Sequence, residues 1–289
     1  MAAEMVRSHA MLDAKDLVIP DPNCLSATAM EQKAETVGVG KATNEPGRVF
    51  MLAIMAGMQI GMGALLMTIV KSDAALSFGL SQLLGGIAFS LGLICVVVAG
   101  AELFTGNSLM VMGALSKRFT WGALAKNWVI VWLGNLAGSL VLVAIIFVCG
   151  TWAMNSGAVG DAMVSVAASK AGLPWLTVFF RAIMCNILVC LGVWMGFAGK
   201  SVIDKIFTCI FPVMAFVACG FEHCIANMFF LPIGTLAYAN GYGSSVAGAA
   251  EALSASGILS NISAATLGNI IGGAVFVGVL YWVAYRKKA

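Results

Sequence analysis

The feature that most constrains this chain is the spacing of its charges. Only 10% of its 289 residues are charged and 61% are hydrophobic, whereas a soluble domain carries about a quarter charged residues. No Asp, Glu, Lys or Arg occurs in 50–70, 74–101, 127–160, 182–199, 224–250 or 252–285. At about 1.5 Å per helical residue, several of these runs can cross a hydrocarbon layer about 30 Å thick. The pattern predicts an all-α integral membrane protein with several spans rather than a soluble domain on one anchor.

Where the charges do occur orients the chain. If the basic residues from Arg7 to Arg48, then Lys117, Arg118, Lys126, Lys200, Lys205 and Arg286-Lys287-Lys288 share one side, they make up 13 of the 16 Lys and Arg. Lys71, Lys170 and Arg181 remain on the other. By the positive-inside rule both termini are cytoplasmic and the number of crossings is even. The first 40 residues are mixed and polar with no apolar leader core, so 1–47 reads as a cytoplasmic segment with an amphipathic helix near 25–39. Residues 48–286 form the membrane domain and 287–289 the cytoplasmic end. The eight cysteines form no CxxC pair and read as reduced packing residues, not disulfides or metal ligands.

Six units fit the even-number rule: 48–70, 80–116, 121–150, 173–199, 202–238 and 263–286. The second and fifth are composite. Residues 103–116 and 206–221 are each too short to cross alone, so each reads as half of a broken helix. An internal repeat agrees: Leu133-Gly134-Asn135-x-x-Gly138 recurs as Leu267-Gly268-Asn269-x-x-Gly272, and Gly100-x-Glu102 with Asn107 recurs as Gly220-x-Glu222 with Asn227. Three spans per half put the second half in the membrane from the opposite side, an inverted 3+3 repeat with its site where the broken helices meet. Gly57-x-x-x-Gly61-x-Gly63, Gly134-x-x-x-Gly138 and Gly268-x-x-x-Gly272 read as close helix contacts.

Glu102, Glu222 and His223 interrupt apolar runs, where an ionisable group is costly unless it has a partner or faces water. Each glutamate sits at a predicted break, where a carboxylate suits the free N–H groups of the next half-helix. His223 opens a half-helix. It is either a satisfied structural group or a donor to an anion held at a helix N-terminus. On the other break, Thr105 and Gly106 suit an irregular loop lining a cavity. Arg181, one turn into its span, is either a snorkelling interfacial charge or a second charge in an outer vestibule. His9 reads as an incidental solvated residue.

Residues 101–107, Ala-Glu-Leu-Phe-Thr-Gly-Asn, then Lys126-Asn127-Trp128 with Gly134-Asn135, and residues 220–229, Gly-Phe-Glu-His-Cys-Ile-Ala-Asn-Met-Phe, resemble the formate/nitrite transporter family over about residues 40–287. The resemblance implies an aquaporin-like protomer fold, a homopentamer with one pore per chain, no cofactor and no nucleic-acid partner. It implies that His223 is the central pore histidine, that Thr105 contacts it and that Asn186 is hydrogen-bonded to it. Phe89, Leu93, Leu103, Val189 and Phe216 match two apolar constrictions, and Lys170 matches an outer-vestibule lysine. It further implies passage of a small monovalent anion, formate first, with nitrite or hydrosulfide as alternatives and protons as possible companions, across the inner (cytoplasmic) membrane. A membrane enzyme, the reading from another class, would need a catalytic cluster that one membrane histidine and two glutamates do not supply.

Overall fold

The computed structural model describes residues 24–286, all of whose regular elements are helical. His9 and the C-terminal Lys287-Lys288 lie outside the described residues. The helices are α1 (Ala27–Thr43), α2 (Pro46–Lys71), α3 (Phe78–Ala99), a 3-10 turn at Gly106–Met110 running into α4 (Val111–Leu115), and α5 (Trp121–Cys149). Then follow α6 (Ala158–Ala171), α7 (Trp175–Ala198), α8 (Val202–Ala218), α9 (Cys224–Ala239), the short α10 (Ala249–Ala252) and α11 (Ala255–Ile270). α11 continues through a π-helical stretch, Ile271–Val279, into α12 (Leu280–Tyr285). Five are long and apolar enough to cross a membrane: Pro46–Lys71, Phe78–Ala99, Trp121–Cys149, Trp175–Ala198 and Ala255–Tyr285. Gly106–Leu115 and Cys224–Ala239 are shorter apolar helices.

α3 and α8 stop in the same way. Gly100 (φ 81°) and Gly220 (φ 67°) take the left-handed conformation that glycine adopts without strain. The next residue then donates five positions back, Ala101 N–H to Val96 C=O at 3.0 Å and Phe221 N–H to Phe216 C=O at 3.0 Å. This bond pattern closes a helix and turns the chain out of its axis. Helical geometry resumes at Gly106 and at Cys224.

The glycine motifs lie where two helices cross closely. A Cβ on Gly138 would meet the carbonyl oxygen of Ile54 at 2.0 Å, bringing α5 onto α2. One on Gly272 would meet the carbonyl of Ile183 at 2.2 Å, bringing the last long helix onto α7. Backbones approach this closely only without a side chain, which is how helices gain packing contact where lipid removes the hydrophobic drive.

Two features differ from the sequence expectations. Residues 158–171, which the sequence assigns to the connection between the spans 121–150 and 173–199, form α6, and Lys170 stands in its last turn. α1 covers the region expected to be amphipathic, but its buried face is Glu31, Ala34, Glu35 and Gly38 rather than an apolar stripe. Ala34 packs into an apolar cluster with Leu109, Met112 and Trp194, and hydrogen bonds hold Glu35 beside it. Ser116 donates to Glu35, Arg118 Nη1 lies 3.3 Å from the other Glu35 oxygen, and Trp282 Nε1 donates to Ser116 at 2.7 Å.

Burial, then the hydrogen bond and charge of Glu35, push the Glu31 carboxyl up to about 7. A carboxyl that binds its proton more tightly when docked is ionised against the fold as pH rises. Docking of α1 is therefore strongest below the ordinary value of 4.5, weakens up to about pH 7 and is level above it. Hydrogen exchange of α1 amides at pH 5 and pH 8 should show faster exchange at pH 8, beyond the intrinsic base-catalysed increase. Glu31→Gln should remove the difference; a difference that survives the substitution would assign it to another group.

Candidate functional site

The two chain breaks are built from the same parts. At the first, Asn135 on α5 accepts from Phe104 N–H at 2.9 Å through Oδ1 and donates through Nδ2 to the carbonyls of Ala53 (2.8 Å) and Glu102 (2.9 Å). At the second, Asn269 on α11 accepts from Cys224 N–H at 2.9 Å and donates to the carbonyls of Ala182 (2.8 Å) and Glu222 (3.0 Å). An irregular segment in a dry interior leaves backbone groups to be matched one by one. A fully buried primary amide supplies one acceptor and two donors, and here all three are used.

The glutamates do something other than cap. Glu102 Oε2 accepts from Lys41 Nζ at 2.8 Å and from Asn107 Nδ2 at 2.7 Å; Asn107 also reaches Asn127 Oδ1 at 2.9 Å, and Asn127 Nδ2 donates to the Lys41 carbonyl at 3.3 Å. Glu222 accepts from Lys170 Nζ at 2.8 Å and from Asn227 Nδ2 at 2.7 Å; Asn227 reaches Asn261 Oδ1 at 2.7 Å, and Asn261 Nδ2 donates to the Lys170 carbonyl at 3.0 Å. Each of these bonds in the first set has its counterpart in the second, which adds a 3.3 Å bond from Asn261 Nδ2 to Glu222 Oε2. The half-helix N–H groups expected on the carboxylates are met instead by Asn135, Asn269 and His223, which leaves each carboxylate free to neutralise a lysine.

His223 is the N-cap of α9 and is 2% exposed. The Ala226 N–H donates to its Nδ1 at 3.1 Å, and its Nε2 lies 3.1 Å from the Thr105 hydroxyl. An Nδ1 that accepts carries no proton, so the neutral ring bears its proton on Nε2, which donates toward Thr105. Protonating both nitrogens would break the cap. The ring stacks on Phe216 at 5.9 Å between centroids. Phe216 meets Phe89 edge-on at 5.6 Å, and Phe230 stands 6.4 Å from Phe89. Thr105 itself is held from behind, its carbonyl accepting from Asn186 Nδ2 at 3.2 Å. That amide also reaches Ser108 and the Asn269 carbonyl. Asn186 therefore acts on His223 through Thr105, where the resemblance implied a direct bond.

Two cavities lie by this cluster, one walled by His223 itself and the other by Leu103 and Gly106, close in the chain to Thr105. One, of about 200 Å³, has Phe89, Phe216, Phe230 and His223 among its walls together with Lys71, Gln82, Lys170 and Arg181. The other, of about 210 Å³, is walled by Leu93, Leu103, Gly106, Glu102 and Lys41, and α1 contributes Ala34 to it. Val189 and Asn186 line neither and are buried behind the cluster. Arg181 lines the first cavity, and its Nη1 lies 3.4 Å from the Gly220 carbonyl.

A family model described as formate/nitrite transporter matches residues 28–283. The chain belongs to that family. It is 39% identical over 281 residues to the formate channel FocA of Escherichia coli, covering 94% of this chain and 96% of that one. A solved structure described as a pentameric formate channel with formate bound is 38% identical, with a TM-score of 0.73 over 84% of this chain and 98% of the other. A second, described as an FNT family ion channel, is 28% identical, with a TM-score of 0.78 over 89% and 99%. These formate/nitrite transporter relatives are described as channels, not enzymes.

Sequence reasoning missed Lys41, Asn127, Asn261, Phe230 and the bracing role of Asn135 and Asn269. A signal for the last two was present, since both sit in the repeated Leu-Gly-Asn motif beside the glycines. Lys41 and Lys170 share no motif, because one comes from α1 and the other from α6, elements outside the repeat.

Proposed function

We propose that this member of the formate/nitrite transporter family passes formate across the cytoplasmic membrane through a pore in each chain. Six spans form the pore domain, residues 48–286, as an inverted 3+3 repeat. In it α3 with 106–115 and α8 with α9 are the broken second and fifth units. Residues 1–47 and 287–289 are cytoplasmic, and five copies assemble as in the related pentameric formate channel. The recurrence at the second break of the asparagine and glutamate bonds of the first supports the repeat.

The observation that carries the reading is His223, a fixed Nε2–H donor in the wall of one cavity and facing Thr105, whose chain neighbours Leu103 and Gly106 wall the other, each cavity presenting a lysine paired to a glutamate. An isolated carboxylate loses many kcal/mol of hydration in an apolar slit unless it is paired or neutralised. The excess of cations over carboxylates in the cavity with Phe89 and Phe216 raises the local anion concentration at that end. At the slit the substrate exchanges water for the Nε2–H and the Thr105 hydroxyl. The neutral ring cannot give up its only N–H proton without becoming an imidazolate. The geometry therefore supports passage of formate as a hydrogen-bonded anion or as the acid protonated in the cavity, rather than by proton loss from His223. Phe89 and Phe216 toward one cavity, and Leu93 and Leu103 toward the other, exclude larger solutes; Val189 backs them.

Proteoliposomes holding the full chain should take up labelled formate well above protein-free vesicles, with nitrite and hydrosulfide competing only at higher concentration. Faster uptake of nitrite or hydrosulfide than of formate would reassign the substrate within the family. Absence of flux for all three would overturn the pore reading.

A further inference from the structure

The matched Lys–Glu pairs account for all the charge lining one cavity but not the other. In the cavity with Leu93 and Leu103 the lining charges are Lys41 and Glu102, bonded to each other. In the cavity with Phe89 and Phe216 the pair Lys170–Glu222 is joined by Lys71 and Arg181. Three cations thus face one carboxylate there. Lys71 donates to Gln82, whose Nε2 donates onward to the Ala218 carbonyl at 2.9 Å. Arg181 spends one of its five N–H donors on a 3.4 Å contact to Gly220. Among the described residues neither is ion-paired. The carboxylate nearest in sequence is Asp73, exposed and bonded to the Ala75 N–H.

We propose that Lys71 and Arg181 form an anion site in this cavity, distinct from the Lys170–Glu222 pair, that takes a small dianion such as a dicarboxylate or a tetrahedral oxyanion. A planar guanidinium grips two oxygens at once and an ammonium serves as a point charge, so one of each lining the same cavity supplies the two positive charges that a compact dianion requires. A cleft with low-dielectric walls strengthens that attraction over the same charges on an open surface. The same dianion cannot go on past Phe89 and Phe216. One histidine donor and one hydroxyl would have to replace the hydration of two charges, and the desolvation cost of an ion grows with the square of its charge. A dianion therefore binds and stays, obstructing one mouth of the pore. The opposite cavity, whose lining charges cancel, holds no such site. That the bound dianion obstructs flux rests on the pore reading above; that it binds does not.

The test is calorimetric titration of the purified full chain in lipid nanodiscs with oxalate, and separately with sulfate, at constant ionic strength. Oxalate should bind, Lys71→Gln with Arg181→Gln should weaken binding at least about tenfold, and Lys41→Gln should leave it unchanged. Each single variant should weaken it at least about threefold, which keeps the test decisive if the double variant does not purify. Sulfate binding with the same dependence extends the site to tetrahedral oxyanions; failure of sulfate alone restricts it to planar dicarboxylates. No oxalate binding, binding indifferent to Lys71 and Arg181, or equal loss in Lys41→Gln overturns the proposal. Formate flux is then followed with oxalate outside. A protein that binds oxalate as stated but carries no formate would leave this site standing and remove the pore reading instead.

Discussion

Asn269→Ala should lower stability by about 3–5 kcal/mol, a large loss for a single polar residue of the site. The side chain is fully buried and makes three bonds, all to backbone. Removing it leaves the Cys224 N–H without an acceptor in a dry interior, and a buried group stripped of its partner costs about 1–3 kcal/mol. The carbonyls of Ala182 and Glu222 each lose a donor, at about 1 kcal/mol apiece. The cavity left by the amide adds to this. The loss is read from the thermal unfolding midpoint of the purified protein and from its yield. Because Asn135 makes the corresponding three bonds to Phe104, Ala53 and Glu102, Asn135→Ala should destabilise by a similar amount. A loss under about 1 kcal/mol for either would show that the broken segments hold their shape by packing alone.

Replacing His223 separates its two functions. Its Nδ1 caps α9 and its Nε2–H faces Thr105. Phenylalanine keeps the ring that stacks on Phe216 but deletes both polar functions. Asparagine, a favoured N-cap, puts its carbonyl oxygen where Nδ1 accepts and is too short to reach Thr105. His223→Phe should therefore lose stability, about 0.5–2 kcal/mol for the missing cap, along with flux. His223→Asn should keep stability and still lose flux. A hydrogen bond to a charged group contributes about 1.5–3 kcal/mol, so formate flux falls on the order of 10- to 100-fold in both variants. Flux is measured in liposomes at matched protein content. Wild-type flux in a stable His223→Asn protein would reduce the histidine to a helix cap and leave Thr105 as the polar contact of the slit.

Much of this architecture is legible in the chain because lipid imposes one-dimensional rules. A span must be long and free of charge, and a polar residue inside it must have a reason. That is why the charge gaps locate α2, α3, α5, α7 and the last long helix to within a few residues except at the last one's start, which lies eight residues earlier in the structure. It is also why Glu102, Glu222 and His223 stand out from the sequence. Repetition makes the breaks visible a second time, since Gly100 and Gly220 each precede a Glu by two residues and an Asn by seven.

The rest depends on side chains that meet across long stretches of sequence. Lys41 reaches Glu102 from 61 residues away and Lys170 reaches Glu222 from 52, and no local pattern links them. In the sequence Lys170 stands out by resemblance and Arg181 as either an interfacial or a vestibule charge, while Lys71 stands out only as a basic residue left over from the cytoplasmic set. Tertiary packing brings them to one cavity. The buried face of α1 can carry Glu35 because Ser116 and Arg118 satisfy it, and hydrophobic periodicity cannot see a contact held by such bonds. The tautomer of His223 is the finest of these distinctions. Sequence supplied an imidazole at the start of a half-helix; the direction of the Ala226 N–H decided which nitrogen carries the proton, because only the folded backbone can aim a donor at one side of a ring.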